Sequence, residues 1–322
     1  MTDQNILTDE QGQHPLVSVI MNCYNGEKYL REAIDSVYAL TYSNWEIVFW
    51  DNASTDMSAE IARSYDKRLK YFRGDETISL GAARNKALEQ AKGEFIAFLD
   101  CDDIWLPEKL EKQIPLFLAD DAVGLVYSDT YFFNEEGLRK RYYARRVPYR
   151  GYQFQNLLND YIISLETAVV RRAAIDALDY LFDERFTMIE EYDFFVRIGL
   201  DWKIDFIDEV LAKWRVHGAS ETWKKQDLFI QERRVMLQKL AHSERFSDVP
   251  PEAIALAYYK LQWSEAVMHW RNKDPKASRR IIDSMSDRNV KSKILWLSTF
   301  FPYAFVEPIH RFMTGEVAPG GN

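Results

Sequence analysis

Apolar runs alternate with amphipathic stretches through the first third of the chain. Strands are predicted at LVSVIMNCY (16–24), WEIVFWD (45–51), LKYFRG (69–74) and EFIAFLD (94–100), and helices at GEKYLREAIDSVYAL, AEIARSYD and LGAARNKALEQAKG between them. Strands joined by helices predict an α/β fold with a parallel, doubly wound sheet. In such a sheet ligands bind beyond the carboxyl ends of the strands.

Polar side chains follow three of these strands at the point where each one ends. The three groups are Asn22/Tyr24/Asn25, Asp51/Ser54/Asp56 and Asp100/Asp102/Asp103. Because the carboxyl ends of parallel strands share one edge, we expect all three groups to lie along that edge. This convergence is the main sequence evidence for a functional site.

The pattern changes further along the chain. We predict a helix near Pro107–Leu118, a strand at VGLVYSDTYFFN, a loop or hairpin at GLRKRYYARRVPYRG and a strand at LETAVVRR. A helix at EEYDFFVRIGL and a strand pair in WKIDFIDEVLAKWRVHG follow. Beyond about residue 225 the pattern is helical, with helices at DLFIQERRVMLQKLAH, PEAIALAYYKLQWSEAVMHWRNK and PKASRRIIDSM. The predicted organisation is a disordered tail over 1–14, an α/β domain over 15–224 and a helical region over 225–322.

Composition narrows the class of protein. A chain of 322 residues with 47% apolar and 28% charged residues is typical of a globular protein. The first 14 residues lack the basic and apolar regions of a signal peptide, so we expect a cytoplasmic body. The cysteines, Cys23 and Cys101, predict neither a disulfide framework nor a zinc site, and we assign Cys101 no redox role. The net charge of −9 argues against nucleic-acid binding.

The charge is unevenly distributed. Residues 271–313 contain nine Lys/Arg and four Asp/Glu, although the whole chain is acidic. Within them lies KILWLSTFFPYAFVEPIHRFM (293–313), an aromatic, apolar segment too interrupted by prolines and a glutamate to span a bilayer. We expect a peripheral contact with the inner face of the cell membrane. The alternative is a helix that caps the domain or pairs two subunits, so a homo-oligomer stays open.

The acidic turn after the fourth strand suggests metal chemistry. Asp100, Asp102 and Asp103 offer the oxygen ligands that Mg²⁺ or Mn²⁺ prefers, and substrate phosphates commonly complete such a shell. The metal would then act as a Lewis acid toward a diphosphate leaving group. Acidic turns also serve as helix N-caps or solvated loops, which is the alternative here. Asp51 could accept a hydrogen bond from a pyrimidine base, and Arg84 could meet phosphate or simply be a surface cation.

Six motifs occur in an order that resembles glycosyltransferase family 2. They are VSVIMNCYNGEKYL, DNASTD, LGAARNKAL, FLDCDDIWLPEKL, EEYDF and WRVHGAS, within residues 16–220. The resemblance implies the GT-A fold, a catalytic domain over 15–224 and an inverting transferase that uses a nucleotide-diphosphate sugar. UDP is the expected carrier of the sugar. A glycan or polyprenyl-linked glycan, in bacterial surface polysaccharide synthesis, is the expected acceptor.

The resemblance also implies roles for single residues. Tyr24, Asn25 and Asp51 would hold the nucleoside, and Arg84 would lie near the base or diphosphate. Asp100 would lie near the ribose and the metal, and Asp102 would bind the metal. His217 of WRVHGAS matches a position that reaches the metal or diphosphate, although an isolated histidine is more often structural.

The catalytic base is assigned to the EEYDF motif. An inverting displacement needs a carboxylate that takes the proton of the acceptor hydroxyl. The family commonly has Glu-Asp there, whereas this chain has Glu190-Glu191. We expect Glu191 to be the base, displaced by roughly an ångström through its extra methylene. Asp193 is the fallback, with a helix-start residue as the alternative reading.

Two further features have a functional and a structural interpretation. Trp105, just after the acidic turn, could stack on a sugar ring or belong to the core. The basic run Arg139, Lys140, Arg141, Arg145, Arg146 and Arg150 could contact acceptor phosphate or form a solvated hairpin.

Two other functions remain as alternatives. One is a nucleotide-sugar-binding or scaffold protein that has lost catalysis, against which the acidic motifs argue. The other is a nucleotidyltransferase, whose expected Gly-rich, basic loop after the first strand is replaced here by CYNGEKYL.

Overall fold

The computed structural model describes residues 14–144, 146–217, 226–247, 249–285 and 290–307. The chain divides into two compact units, Met1–Lys224 and Lys225–Asn322. The predicted N-terminal tail, apart from His14, lies outside the described residues.

The first part of the N-terminal unit is the predicted alternation of strands and helices. Its elements are β1 (Val17–Cys23), α1 (Glu27–Tyr38), β2 (Trp45–Asp51), α2 (Ser58–Arg63), β3 (Leu69–Arg73), α3 (Leu80–Leu88) and β4 (Phe95–Phe98). β1 pairs in parallel with β2 and β4, and β2 pairs in parallel with β3. The carboxyl ends of these strands therefore share one edge, as the sequence predicted.

The second part extends this sheet with strands of mixed direction. Its elements are β5 (Ile104–Trp105), α4 (Lys109–Ala119), β6 (Val123–Asn134), β7 (Gly137–Arg141), α5 (Phe154–Asn159), a 3₁₀ turn (Leu165–Thr167), β8 (Val169–Arg171), α6 (Arg172–Asp176), α7 (Glu190–Asp201) and β9 (Lys203–Arg215). The strand order is β3-β2-β1-β4-β8-β6-β9-β5, and β7 forms a hairpin with β6. β8 runs antiparallel to its neighbours β4 and β6, whereas β6 and β9 are parallel.

The largest difference from the prediction concerns β9. The sequence suggested a strand pair, because the polar residues Asp208 and Glu209 interrupt the apolar pattern as a turn would. The structure has one strand along β6 instead. The register shifts around Ser128–Thr130 absorb Asp208 and Glu209 as an irregularity in the ladder, so the chain continues instead of reversing.

The core lies on both faces of the parallel strands. All seven residues of β1 are buried, which explains why this strand is a continuous apolar run. On one face α1 contributes four buried apolar side chains, Leu30, Ala33, Ile34 and Val37. These residues lie at helical spacing, so one side of α1 covers the sheet while the other faces solvent.

The C-terminal unit is helical, as predicted. It contains α8 (Gln226–His242), a 3₁₀ turn (Glu244–Phe246), α9 (Pro251–Arg271), α10 (Pro275–Ser284) and α11 (Val290–Ser298). It has a small core of its own, formed by Ala266, Val267, Trp270, Ile282, Met285 and Leu295. Among the described residues, none of the helices combines the length and hydropathy needed to cross a membrane. The predicted amphipathic segment continues to residue 313, and its part beyond residue 307 lies outside the described residues.

Candidate active site

The loops after β1 and β2 are hydrogen-bonded to each other. Asn25, whose φ of 52° lies in the left-handed region, accepts a hydrogen bond at Oδ1 from the backbone N–H of Thr55 at 2.8 Å. Its own N–H donates to Ser54 Oγ at 3.0 Å. The side chain of Tyr24 stays 54% exposed beside them. Asn25 therefore fixes the backbone of this edge, whereas Tyr24 offers an open ring.

Asp51 does not fit the predicted contact with a base. Its carboxylate is buried, and its Oδ1 accepts from the backbone N–H of Ser54 at 2.7 Å. Its Oδ2 accepts from Tyr71 Oη and from Arg73 Nη1, the latter at 2.6 Å. A carboxylate supplied with three protein donors and no exposed surface organises the loop after β2 and does not present itself to a ligand.

Asp103 differs from the other two aspartates of the acidic turn. The side chains of Asp100 and Asp102 are 41% and 32% exposed, whereas Asp103 is buried. Burial, and then the nearby Glu166 carboxylate, raises the pKa of Asp103 well above its usual range. Its Oδ1 accepts from the backbone N–H of Arg215 at 2.8 Å. The prediction that Asp103 faces a metal is wrong, because its carboxylate holds the end of β9.

Arg215 is a site residue that our sequence analysis did not single out. Its Nε donates to the backbone oxygen of Asp102 at 2.7 Å, and its Nη2 donates to Glu32 at 2.6 Å. The guanidinium also lies over the ring of Tyr29, which contacts His217. Arg215 thus joins the acidic turn, α1 and the segment that carries His217. Its position two residues before His217 in the motif WRVHGAS was the available signal.

Asp102 and His217 lie side by side. The Oδ2 of Asp102 is 2.7 Å from Nε2 of His217, across 115 positions of sequence. Burial and then the Asp100 carboxylate raise the pKa of Asp102, while the His217 contact opposes that rise. Both side chains are partly exposed, so both can reach a ligand.

Asp102 and His217 could supply two of the ligands of a divalent metal ion. A carboxylate oxygen beside an imidazole nitrogen suits a divalent cation whose remaining ligands come from substrate phosphate and water. Within the described ranges, no three His, Cys, Asp or Glu side chains gather around one point. The predicted third metal residue, Asp100, is not grouped with this pair, and its Oδ1 accepts from Arg84 at 3.2 Å. The residues fit a cation held by two protein side chains together with a diphosphate.

Arg84 connects the acidic turn to the predicted base. This buried guanidinium donates to Oε1 of Glu190 at 2.9 Å as well as to Asp100, and its Nη1 is 3.9 Å from Oε2 of Glu191. The buried guanidinium of Arg84 therefore lies among three carboxylates: Asp100 in the acidic turn, and Glu190 and Glu191 in α7. The surface-cation alternative for Arg84 does not hold, because the side chain is 4% exposed.

The two glutamates at the start of α7 differ in environment. Glu190 is buried, and burial followed by the charge of Glu191 raises its pKa to about 8, against the opposing effect of Arg84. Its Oε2 is buried without a hydrogen-bond partner in the described structure. The side chain of Glu191 is 28% exposed. Glu191 is therefore the member of the pair that an acceptor can reach.

Asp193 is unsuited to the fallback role of base. It is buried, and its Oδ2 accepts from Nε of Arg197 at 2.9 Å. Tyr180 donates to Oδ1 at 3.3 Å. An enclosed carboxylate in a hydrogen-bonded ion pair one turn along a helix is a structural element, which corrects this assignment.

Trp105 belongs to the core, so the prediction that it stacks on a sugar is wrong. It is 2% exposed, and its indole Nε1 donates to the backbone oxygen of Glu166 at 2.7 Å. The buried ammonium of Lys109 lies 4.7 Å from the ring centroid. Because the indole ring is almost completely buried, neither of its faces is available to a ligand.

The basic run is partly neutralised by acidic side chains. Arg141 pairs with Asp129 and Asp208, and Arg150 pairs with Asp205. Arg146 lies over the ring of Tyr142 at 4.8 Å. These contacts agree with the hairpin alternative. Arg145 and the side chain of Arg139 lie outside the described residues.

Comparisons with known proteins identify the family of this chain. The sequence profile of the family described as glycosyl transferase family 2 matches residues 18–179. An uncharacterized glycosyltransferase of Methanocaldococcus jannaschii is 31% identical, over 80% of this chain and 81% of the relative. The Escherichia coli enzyme WfgD, named UDP-Glc:alpha-D-GlcNAc-diphosphoundecaprenol beta-1,3-glucosyltransferase, is 31% identical over 64% of this chain and 79% of its own.

A solved structure supports the fold independently. The mannosyltransferase PcManGT of Pyrobaculum calidifontis, in complex with GDP-Man and Mn²⁺, is similar with a TM-score of 0.61 at 20% identity. The similarity covers 96% of this chain and 86% of that one. Fold, motifs and relatives lead to one conclusion. The chain belongs to glycosyltransferase family 2 and has the GT-A fold.

Proposed function

We propose that this glycosyltransferase is a metal-dependent, inverting enzyme. It moves a sugar from a nucleotide-diphosphate donor, with UDP as the expected carrier, to a glycan or lipid-linked glycan. The observation that carries the proposal is the bridge made by Arg84, which donates to Glu190 and to Asp100. Through this bridge the acidic start of α7 lies against the acidic turn after β4, so a base and a donor site can act on one substrate.

The proton transfer is assigned to Glu191. Its carboxylate takes the proton of the acceptor hydroxyl as the oxygen attacks the anomeric carbon, and the nucleoside diphosphate leaves from the opposite face. Glu191 is suited to this because it is partly exposed while Arg84 lies 3.9 Å away. Glu190, with a pKa of about 8, bears less negative charge near neutral pH and so limits repulsion at the site.

The donor diphosphate is assigned to Asp102 and His217. A bound divalent cation would stabilise the negative charge of the leaving group as a Lewis acid. The two side chains would hold that cation from one side, and Arg215 would keep the turn of Asp102 in place through its hydrogen bond to the backbone. The open ring of Tyr24 is the proposed surface for the nucleoside.

The relatives support this substrate class. The name of WfgD contains UDP-Glc and a diphosphoundecaprenol-linked acceptor, and PcManGT is described in complex with GDP-Man and Mn²⁺. Together they favour a nucleotide-sugar donor, a metal ion and a polyprenyl-linked acceptor. The two relatives differ in the nucleobase of the donor, which is uracil for WfgD and guanine for PcManGT. The preference for a UDP-linked donor in this proposal therefore depends on WfgD.

The donor site is tested by thermal stabilisation. UDP and GDP, each with and without Mn²⁺, are added to the protein, because a ligand that binds only the folded state raises the melting temperature. We expect one nucleotide to stabilise the protein with Mn²⁺ and the effect to vanish with chelator. In Asp102→Asn the metal-dependent part should be lost. Asp121→Asn, at a side chain that is 99% exposed, is the matched control.

The outcomes separate the possible functions. Metal-dependent stabilisation together with release of free nucleotide from the sugar donor supports the transferase. Stabilisation without any turnover, even with acceptor lipid, supports the binding or scaffold protein instead. An equal response of Asp102→Asn and wild type would contradict the assigned metal site.

We also propose that α11 and the residues after it contact the cytoplasmic face of a membrane. Val290, Ile294 and Leu297 are exposed at helical spacing, and they are followed by the exposed Phe300, Phe301 and Phe305. Lys291 and Lys293 lie among them. Exposed rings beside cations complement a layer of anionic headgroups, so the surface fits an anionic lipid bilayer.

A further inference from the structure

Two cysteines lie near each other at the ends of β1 and β4, beside the candidate active site. β1 and β4 are parallel neighbours, and their ladder ends with Ile20 opposite Phe98. Cys23 is the last residue of β1, and Cys101 lies in the turn three residues after the end of β4. Both cysteines therefore lie at the same edge of the sheet.

The positions of the two sulfurs support this. A Cβ atom built on Gly26 would lie 2.8 Å from Sγ of Cys23 and 2.9 Å from Sγ of Cys101. Both sulfurs therefore lie close together, in the space beside one glycine. Cys23 is buried, whereas Cys101 is partly accessible. The chain has two cysteines in total, so neither has a competing partner within it.

We propose, against the sequence expectation that Cys101 has no redox role, that Cys23 and Cys101 form a reversible disulfide that controls the donor site. The oxidant class is a small disulfide, RSSR. One thiol of the pair, as its thiolate, attacks one sulfur of RSSR, which forms a mixed disulfide and releases RSH. The other thiol then attacks the protein sulfur of that mixed disulfide and releases the second RSH. The protein loses two thiol hydrogens and two electrons, and RSSR is reduced by the same amount.

The bond would act through the acidic turn. Cys101 lies between Asp100, which accepts from Arg84, and Asp102, which contacts His217. An S–S bond is about 2.0 Å long, much shorter than any contact between two thiols, so closing it draws the turn toward β1. A shift of this turn moves Asp102 away from His217, and the proposed function assigns the donor's cation to these two side chains. We therefore expect the oxidised protein to lose metal-dependent nucleotide binding and to regain it on reduction.

The experiment first measures the bond and then its effect. The full chain is incubated with oxidised glutathione at mildly alkaline pH, and its intact mass is measured before and after a dithiol reductant. We expect loss of two hydrogens without an adduct. We also expect a monomer on a non-reducing gel and, after iodoacetamide, no alkylated cysteine. Cys101→Ser and Cys23→Ala each remove one partner, so neither should lose two hydrogens.

The effect on the donor site rests on the proposed function, whereas the bond does not. Oxidised and reduced protein are compared for thermal stabilisation by UDP with Mn²⁺. Loss of stabilisation in oxidised wild type, with unchanged stabilisation of Cys101→Ser under the same oxidant, supports the proposal. An unchanged mass, or a stable glutathione adduct alone, overturns the thiol pair. A bond that leaves nucleotide stabilisation unchanged overturns its control of the site. If reduced wild type shows no stabilisation by any nucleotide, the proposed function fails while the mass still decides the bond.

Discussion

Glu191 is the most exposed of the three acidic residues in the first turn of α7, and it is the proposed base. We expect Glu191→Gln to lower turnover by about 100-fold to 10,000-fold, because the amide cannot accept the proton of the hydroxyl. Nucleotide stabilisation with Mn²⁺ should stay at the wild-type level. Release of nucleotide from the sugar donor, followed with acceptor lipid, measures the change.

The shorter acid gives the matched control. Glu191→Asp keeps a carboxylate at a slightly different distance and should retain more activity than Glu191→Gln. Equal activity in Glu191→Gln and wild type would show that another group takes the proton.

Lys109 makes stability depend on pH in an unusual direction. Burial lowers the pKa of its ammonium to about 7, opposed by the charge of Glu166. Between about pH 7 and the unfolded value of about 10.4 the unfolded chain binds the extra proton, so raising the pH favours the folded state. The contribution approaches 1.4 kcal/mol per pH unit in that window.

Lys109→Met should remove this slope from the free energy of unfolding, measured by urea denaturation across the window. Lys112→Met, on the same helix at a partly exposed lysine, is the control and should keep the wild-type slope. A slope that survives in Lys109→Met would assign it to other groups.

Residue types indicated where the site lies but could not show which side chains have protein partners. Asp102 lies beside His217, and Arg84 lies between Asp100 and the glutamates of α7. The predicted place of Arg84 beside a donor diphosphate does not follow, because its guanidinium is buried against these carboxylates.

Asp51, Asp193 and Trp105 were equally plausible site residues from the sequence. In the structure each of them is buried and hydrogen-bonded to another part of the protein. For Trp105 the partner is the backbone of Glu166, 61 positions further along the chain, and a linear pattern does not show it. For Asp193 the partner is Arg197, an i,i+4 pair that the sequence could have indicated.

At the scale of elements, β9 holds the acidic turn through its last residue, Arg215. Arg215→Lys keeps the charge but loses the fork that donates to Asp102 and Glu32. We expect a loss of about 2 kcal/mol, and hence a fall in melting temperature of about 4 to 8 °C. The Mn²⁺-dependent part of nucleotide stabilisation should fall more than the metal-free part.

Arg185→Lys is the control for this prediction, since Arg185 forms an ion pair with Asp183 from a side chain that is 64% exposed. It should change little, because exposed ion pairs contribute little to stability. A lower melting temperature in Arg215→Lys with unchanged Mn²⁺ dependence would reduce Arg215 to a purely structural role.

The helices and strands that the local hydrophobic pattern determines were predicted correctly. The parallel strands and the helices α8 to α10 follow from periodicity alone. β9 was predicted as two strands because Asp208 and Glu209 are typical turn residues. The pairing with β6 shows instead that both residues lie in an irregularity of a single continuous strand. β8 was also predicted too long, since Leu165–Thr167 forms a 3₁₀ turn before it.

At the scale of the whole molecule, an acidic chain has a basic, aromatic surface near its C-terminal end. If that surface binds anionic lipid, then replacing Leu297, Phe301 and Phe305 together by serine should abolish co-sedimentation with vesicles that contain phosphatidylglycerol. Binding by wild type should weaken with salt and be weaker to neutral vesicles.

Leu256→Ser, at an exposed leucine of α9, is the control and should bind as wild type does. Unchanged binding by the triple variant would contradict the membrane contact. A change of molecular mass in light scattering, without vesicle binding, would support subunit pairing instead.

The contacts that complete the site join residues very far apart in sequence. Arg84 and Glu190 are separated by 106 positions, Asp102 and His217 by 115, and Glu32 and Arg215 by 183. Closing such long loops lowers the conformational entropy of the chain before the contacts form and stabilise the fold. During synthesis the paired strands of the first hundred residues can therefore form while the site is still incomplete. We infer that binding competence arises late, only after the ribosome has released the chain through His217.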